Sequence, residues 1–387
     1  STENKHYNII KFAFPNVKDG SVVEYSYTVL SPFIHEMPKI MIEENVPIIY
    51  SEYVFDAPKE LGYNINYQGS VLPKYRVVEE KMLYGADYRT YRFGYENIKA
   101  FLEENYVKNN DNYRTSLRAE LNSTYIGNEF KSYSLSWEDV RKEMMKDEEF
   151  GGALKKDNLV RDLLPNEIKQ IPTELKKAEA ILKFVQKNYT WDKKRGAFVD
   201  EGIKNLINTK VGNAAEINIL LILLLRNAGI KANPVVLSTV DRGMLTNYLP
   251  SITSLNYLIA CFDSKDKLYI LDATSKLSSI NVIPPRAVNY IGYIFSEEKA
   301  DQINLVNPEK SNTYLEVNAQ LEKDATFAGH FTDRDTKIYA MLNSEEYDKD
   351  KEGYQKDNYK ERYKFPLSNL KSGLLNDNEF ETSFDFT

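Results

Sequence analysis

The chain has 387 residues, enough for two or three domains with sizeable cores, and its 42% hydrophobic and 28% charged content is ordinary for globular proteins. A formal net charge of −7 argues against nucleic acid or an anionic membrane surface as the main partner. One cysteine excludes an intrachain disulfide, yet fits either a reducing compartment or an exported chain that avoids thiols.

Residues 1–135 read as β-rich. The run from Phe12 to Ser21 places a turn between two extended segments. Val22 to Val29 alternates as a strand with one buried face would. Pro47 to Phe55 predicts another strand, ended by Ala57-Pro58, and Tyr88 to Phe93 a further one. Tyrosine outnumbers phenylalanine 28 to 18, which suits strands that pack at one end and stay wet at the other.

Residues 136–172 form a helical connector. Ser136-Trp137-Glu138-Asp139 is a capping box opening a short helix through Met145. Trp137 is expected to anchor the connector to a neighbouring domain. Gly151-Gly152 and Pro165 punctuate the rest of the connector, and Pro172-Thr173 opens the next helix. There Leu175, Ala178, Ile181, Leu182, Val185 and Tyr189 fall at helical spacing on one apolar face.

The central stretch is Gly212 to Ile230, GNAAEINILLILLLRNAGI. From Ile217 to Leu225 it is almost wholly aliphatic, too uniform for a helix with a wet face. It is also shorter than the about 20 apolar residues that span a bilayer, so no membrane segment is expected here. Gly229 is placed as a left-handed cap and Arg226 lies in the last turn, where a cation suits the helix dipole. The stretch predicts a helix buried on nearly all sides. Beyond it, Ala232 to Thr239 reads as a strand and Asp241 to Pro250 as a loop. Leu255 to Phe262 and Lys267 to Leu271 form a hairpin across Asp263-Ser264-Lys265-Asp266. Pro284-Pro285 and Asn289 lead out of the domain near residue 300. Leu315 to Ala319 begins β structure again, and Phe331 to Tyr363 reads as solvated helix or hairpin surface.

The central stretch resembles the cysteine helix of the transglutaminase-like superfamily, whose members share a papain-like core. Aligned on Leu224-Leu225-Arg226 and Gly229-Ile230, the family's cysteine falls on Ala214. Ser254-Leu255-Asn256-Tyr257-Leu258-Ile259 stands where the family's histidine follows an asparagine, so that histidine is Tyr257. Leu271-Asp272-Ala273-Thr274 resembles the family's LDPT-like sequence and keeps its aspartate as Asp272. Lys187-Asn188-Tyr189-Thr190-Trp191 is similar to the element that precedes the cysteine helix. The N-terminal residues Pro15-Asn16-Val17-Lys18 and Ser51-Glu52-Tyr53 resemble the DUF3857-like β-sandwich module found ahead of such cores in Bacteroidetes-type proteins. The resemblance implies an α+β fold. A papain/transglutaminase-like core (173–300) would follow a partial β-sandwich (1–135) and the connector (136–172), with a partial C-terminal β module (301–387) behind. It also implies an excerpt of a longer, exported bacterial protein, periplasmic or outer-membrane associated.

Chemistry then decides what such a site could do. A cysteine at a helix N-terminus works because unpaired N–H groups favour the thiolate, and an oriented histidine takes the proton. Ala214 carries no nucleophile, and a phenol with an ordinary pKa near 10 is a poor base at neutral pH. Losing the nucleophile of a triad costs about as much rate as losing the whole set. The expectation is therefore a pseudoenzyme with Ala214, Tyr257 and Asp272 at degenerate triad positions and no catalytic residue. Its role would be to bind a polypeptide or envelope-protein partner in a groove lined by Asn213, Glu216, Asn256, Tyr257 and Asp272, with Trp191 a further candidate. In a competing outcome Tyr257 fills the vacated space, bonds Asp272 and leaves no pocket. Two other readings stay open: a cysteine protease or acyltransferase using an unrecognised site such as Cys261, and a carbohydrate-binding module built on the tyrosine-rich strands. No HExxH, paired CxxC, P-loop or GxGxxG occurs, so no metal, nucleotide or other cofactor is expected.

Overall fold

The computed structural model describes residues 2–4, 7–8, 13–24, 34, 37–133, 136–247, 250–306, 309–376 and 378–387. Its N-terminal part is two antiparallel sheets packed face to face. In one, the long strand Ala86–Ile98 lies between Ile48–Pro58 and Tyr75–Leu83. In the other, Ser116–Ile126 pairs Leu61–Gln68 on one edge and Ile40–Met41 and Glu129–Ser132 on the other. Alternation drives the packing: Tyr91, Phe93 and Tyr95 all point inward, meeting Leu117 of the opposite sheet. Gly94, between two of them, leaves room for the Tyr75 ring, which an added Cβ would meet at 2.1 Å.

Two expectations for this region change. Val22 to Glu24 are exposed and without regular structure, while residues 25–29 lie outside the described residues. The strand expected to stop before Pro58 instead runs through it, opposite Tyr88. It is an edge strand, where a residue without an N–H is tolerated.

The connector helix Trp137–Lys146 is capped by Ser136, whose Oγ accepts from the Asp139 N–H at 3.2 Å. Trp137 stacks on Tyr293 with ring centroids 4.2 Å apart and belongs to the central core. In the helix Glu174–Asn188, Ala178, Ile181, Leu182 and Val185 are buried, whereas Leu175, expected on the same face, is exposed.

The central helix Ala214–Asn227 is buried at every position from Ala214 to Leu225. Gly229 closes it at φ +84°, letting the Ile230 N–H reach the Leu225 carbonyl at 2.9 Å. The helix lies against a five-stranded antiparallel sheet in the order Lys267–Leu271, Tyr257–Ser264, Ala232–Leu237, Ile291–Phe295, Ala300–Asn304. The last strand carries the sheet past residue 300, where the sequence suggested an exit. No helix among the described residues is long and apolar enough to cross a membrane.

The C-terminal part is a four-stranded antiparallel sheet, ordered Thr313–Leu321, Phe327–Thr336, Glu379–Phe386, Leu367–Asn376. The segment 331–363 proves to be more than solvated surface. The helices Ile338–Lys349 and Lys351–Gln355 and the turn after them pack Ala340, Tyr354 and Tyr359 against Phe331, Phe380 and Phe384. Charged residues interleaved with the aromatics masked this face in the sequence.

Candidate functional site

The mouth of the central helix is built by a reciprocal cap. Asn213 Oδ1 accepts from the Glu216 N–H at 2.8 Å, and Glu216 Oε2 accepts from the Asn213 N–H at 2.8 Å. The other oxygen of Glu216 accepts from the backbone N–H groups of Asp200, Glu201 and Gly202 at 3.2, 2.6 and 2.7 Å. Glu216 therefore fastens the loop 200–202 to the helix and is absent from the groove lining expected of it. Gly212 makes this possible, since a Cβ there would stand 2.7 Å from Glu216 Oε2.

Ala214 is fully buried and shares an apolar cluster with Tyr257, Ile259 and Cys261. Its own N–H donates to the Lys194 carbonyl at 3.1 Å. Gly196 pairs as a bridge with Tyr257, so the loop after Trp191 closes over this spot.

Tyr257 and Asp272 are buried to 0% exposure, and the phenol donates to Asp272 Oδ2 at 2.9 Å. Thr274 Oγ1 donates to Asp272 Oδ1 at 2.7 Å. Arg286 stands on the far side of both hydroxyls, its Nε 3.1 Å from the phenol oxygen and its Nη2 2.6 Å from Thr274 Oγ1. Two hydroxyls thus bridge a guanidinium to a buried carboxylate, each accepting from the cation and donating to the anion. The backbone N–H of Thr274 at 2.9 Å and Asn218 Nδ2 at 3.1 Å complete the shell around Asp272. Burial, and then the charge of Asp272, push the Tyr257 phenol far above its ordinary pKa. It is a neutral donor here and no base.

Trp191 caps the array. Arg286 lies over its ring at 4.2 Å, and its indole N–H donates to the Lys194 carbonyl at 2.7 Å. Trp191 therefore covers the sealed centre and, like Glu216, is absent from the groove lining. Thr274 belongs to the LDAT sequence that flagged Asp272. Asn218 and Arg286 carried no local signal, one hidden in the aliphatic helix and the other following Pro284-Pro285.

A groove of about 380 Å³ runs beside the sealed centre. Asn213 and Asn256 line it, together with Lys194, Arg195, Asp200, Arg242, Thr253 and Leu255. Ala214, Tyr257 and Asp272 do not reach it. Asn256 holds the loop above the groove, its Oδ1 accepting from the Thr239 N–H at 2.8 Å and its Nδ2 donating to Thr239 Oγ1 at 2.8 Å. Arg195 pairs with Asp241.

Cys261 is buried, its thiol pushed up to about 12 by burial and by Asp263. His330 lies in the C-terminal sheet, where Nδ1 is 2.7 Å from Asp385; His6 and His35 lie outside the described residues. Among the described residues no three His, Cys, Asp or Glu side chains are grouped to hold a metal.

Comparison with known proteins agrees with this architecture. Residues 162–261 match the model of the transglutaminase-like superfamily, and residues 6–102 match that of a domain of unknown function with a solved structure, DUF3857. Residues 162–261 thus form a transglutaminase-like region, with a DUF3857 region ahead of it. Among solved structures it is similar to a "putative protease" from Parabacteroides distasonis ATCC 8503. The identity is 10% and the TM-score 0.46, covering 92% of this chain and 70% of that one. It is also similar to a "putative cysteine protease" from Cytophaga hutchinsonii, at 13% identity and TM-score 0.26, over 69% of this chain and 86% of that one. Neither likeness bears on the chemistry of the site. A comparison with the curated proteins finds no match.

Proposed function

We propose that this chain is a non-catalytic transglutaminase-like protein whose groove holds an extended polypeptide, serving as a binding or assembly module of the bacterial cell envelope. One observation carries the non-catalytic part: the position of the nucleophile is a sealed methyl group beside a neutral phenol locked between Asp272 and Arg286. Neither nucleophile nor base is available, and the helix N-terminal N–H is already engaged by Lys194.

The groove supports the binding part. At about 380 Å³ it is within the usual range of ligand sites, and it lies beside the sealed centre. Its lining holds Lys194, Arg195 and Arg242 with Glu149 and Asp200, and Arg195 is paired with Asp241, so the charges are close to balanced and suit a polar segment of mixed charge. The envelope location rests on the family resemblance alone.

The test is a library of unstructured peptides screened against the full chain, with Thr253→Trp as the groove-filling variant. Selective capture of extended peptides by the parent, lost in Thr253→Trp, is the expected result. No peptide bound by the parent, or binding that survives the tryptophan, would remove the groove reading. Turnover of any captured peptide would remove the non-catalytic one.

A further inference from the structure

A second space lies where Arg242 to Thr246 and Ser254 meet the N-terminal sandwich. The modules are joined there by backbone-directed bonds. Asn109 Nδ2 donates to the Val240 carbonyl at 2.7 Å, and the Met244 N–H donates to Asn112 Oδ1 at 2.9 Å. Between these contacts is a cavity of about 80 Å³.

Its charges do not balance. Lys39, Arg118 and Arg242 line it against the single carboxylate of Glu120, which leaves an excess of two positive charges. The nearby acceptors absorb little of this. Lys39 Nζ donates to the Asp111 carbonyl at 3.2 Å, Arg118 Nη1 to Ser254 Oγ at 3.3 Å, and Arg242 Nη2 to the Thr253 carbonyl at 2.5 Å. Arg118 stands 3.8 Å from Glu120 Oε1, whose other oxygen already accepts from Asn66 Nδ2 at 3.0 Å. Burial lowers the pKa of Lys39, with Arg118 adding and Asp111 opposing; burial does the same to Arg118, with Glu120 opposing and Arg242 adding. An arginine does not shed its proton to escape such a position, so the relief available is an anion. The wall also offers the hydroxyls of Ser116 and Thr246.

We infer that this cavity binds a small oxyanion, a phosphate or a simple carboxylate, held between the N-terminal sandwich and the central domain. Its size excludes a nucleotide or a sugar phosphate, since pockets for such bodies run to several hundred Å³. Guanidinium and ammonium groups converging on one point are the donors that recognise an oxyanion. The inference does not rest on the groove reading: the two spaces share Arg242 alone, and without it Lys39 and Arg118 against Glu120 still leave one positive charge in excess.

The experiment is calorimetric titration of the full chain in a chloride buffer at fixed ionic strength, with inorganic phosphate, sulfate, acetate and succinate as probes. At least one should bind saturably at one site. Phosphate with sulfate would point to a tetrahedral anion, and acetate or succinate to a carboxylate. Lys39→Met and Arg118→Gln should each weaken that binding tenfold or more. Lys39→Arg, which keeps the charge, and Lys131→Met, outside the cavity, should leave it within threefold. No saturable binding of any probe, or binding that survives both Lys39→Met and Arg118→Gln, would overturn the assignment.

Discussion

Replacing Tyr257 by Phe removes one oxygen atom from the sealed centre and nothing else. The ring keeps its burial, so no cavity term enters. Asp272 loses the phenol donor at 2.9 Å, and Arg286 Nε loses its acceptor at 3.1 Å. A hydrogen bond to a buried charged group is worth about 1.5–3 kcal/mol, whereas the half-buried Arg286 recovers part of its loss through water. The expected destabilisation is about 2–3 kcal/mol, roughly 30- to 150-fold in the folding equilibrium of this domain. The chain's two tryptophans, Trp137 and Trp191, both pack on the central core, so fluorescence during urea unfolding reports this domain selectively. In a cycle with Asp272→Asn, the two changes should be coupled by about 1 kcal/mol or more, because both weaken the same bond. A loss below about 0.5 kcal/mol, within the range of ordinary surface substitutions, would refute the hydroxyl bridge between Arg286 and Asp272.

Ala214→Cys should give a thiol that stays unlabelled by iodoacetamide in the folded chain, since position 214 is fully buried; rapid labelling would mean that the centre is open. Cys261 has its thiol raised from an ordinary 9.0 to about 12, so its contribution to stability is complete below about pH 9 and is lost as pH climbs from 9 to 12. Cys261→Ala should therefore make the alkaline fall in stability shallower, as followed by melting temperature between pH 8 and 11. Gly212→Ala drives a methyl to 2.7 Å from Glu216 Oε2 and 2.9 Å from Leu206 Cδ1. It should cost about 1–3 kcal/mol in urea unfolding, the usual penalty of overpacking. Glu216→Ala strips the acceptor from four backbone N–H groups and should cost about 3 kcal/mol or more, with faster amide exchange at residues 200–202 as its local signature.

Sequence alone determined the central helix, because nine successive positions with almost no polar side chain have nowhere to go but the inside of a domain. It also determined that residue 214 has no nucleophilic atom and residue 257 no imidazole, since these are matters of covalent structure. Short-range patterns found the Ser136 cap, the Gly229 stop and the hairpin carrying Tyr257, each set by neighbours a few residues apart. What only the tertiary structure decided is the fate of the polar groups around Ala214 and Tyr257. Arg286 reaches Tyr257 and Thr274 from a separate turn, and Asn218 meets Asp272 across 54 residues of chain. The same holds for Glu216, whose carboxylate faces the loop 200–202 and not the groove, and for the cavity where Lys39, Arg118 and Arg242 converge. A buried polar side chain must find partners wherever the fold supplies them, and no local pattern encodes the identity of a partner that arrives from another element.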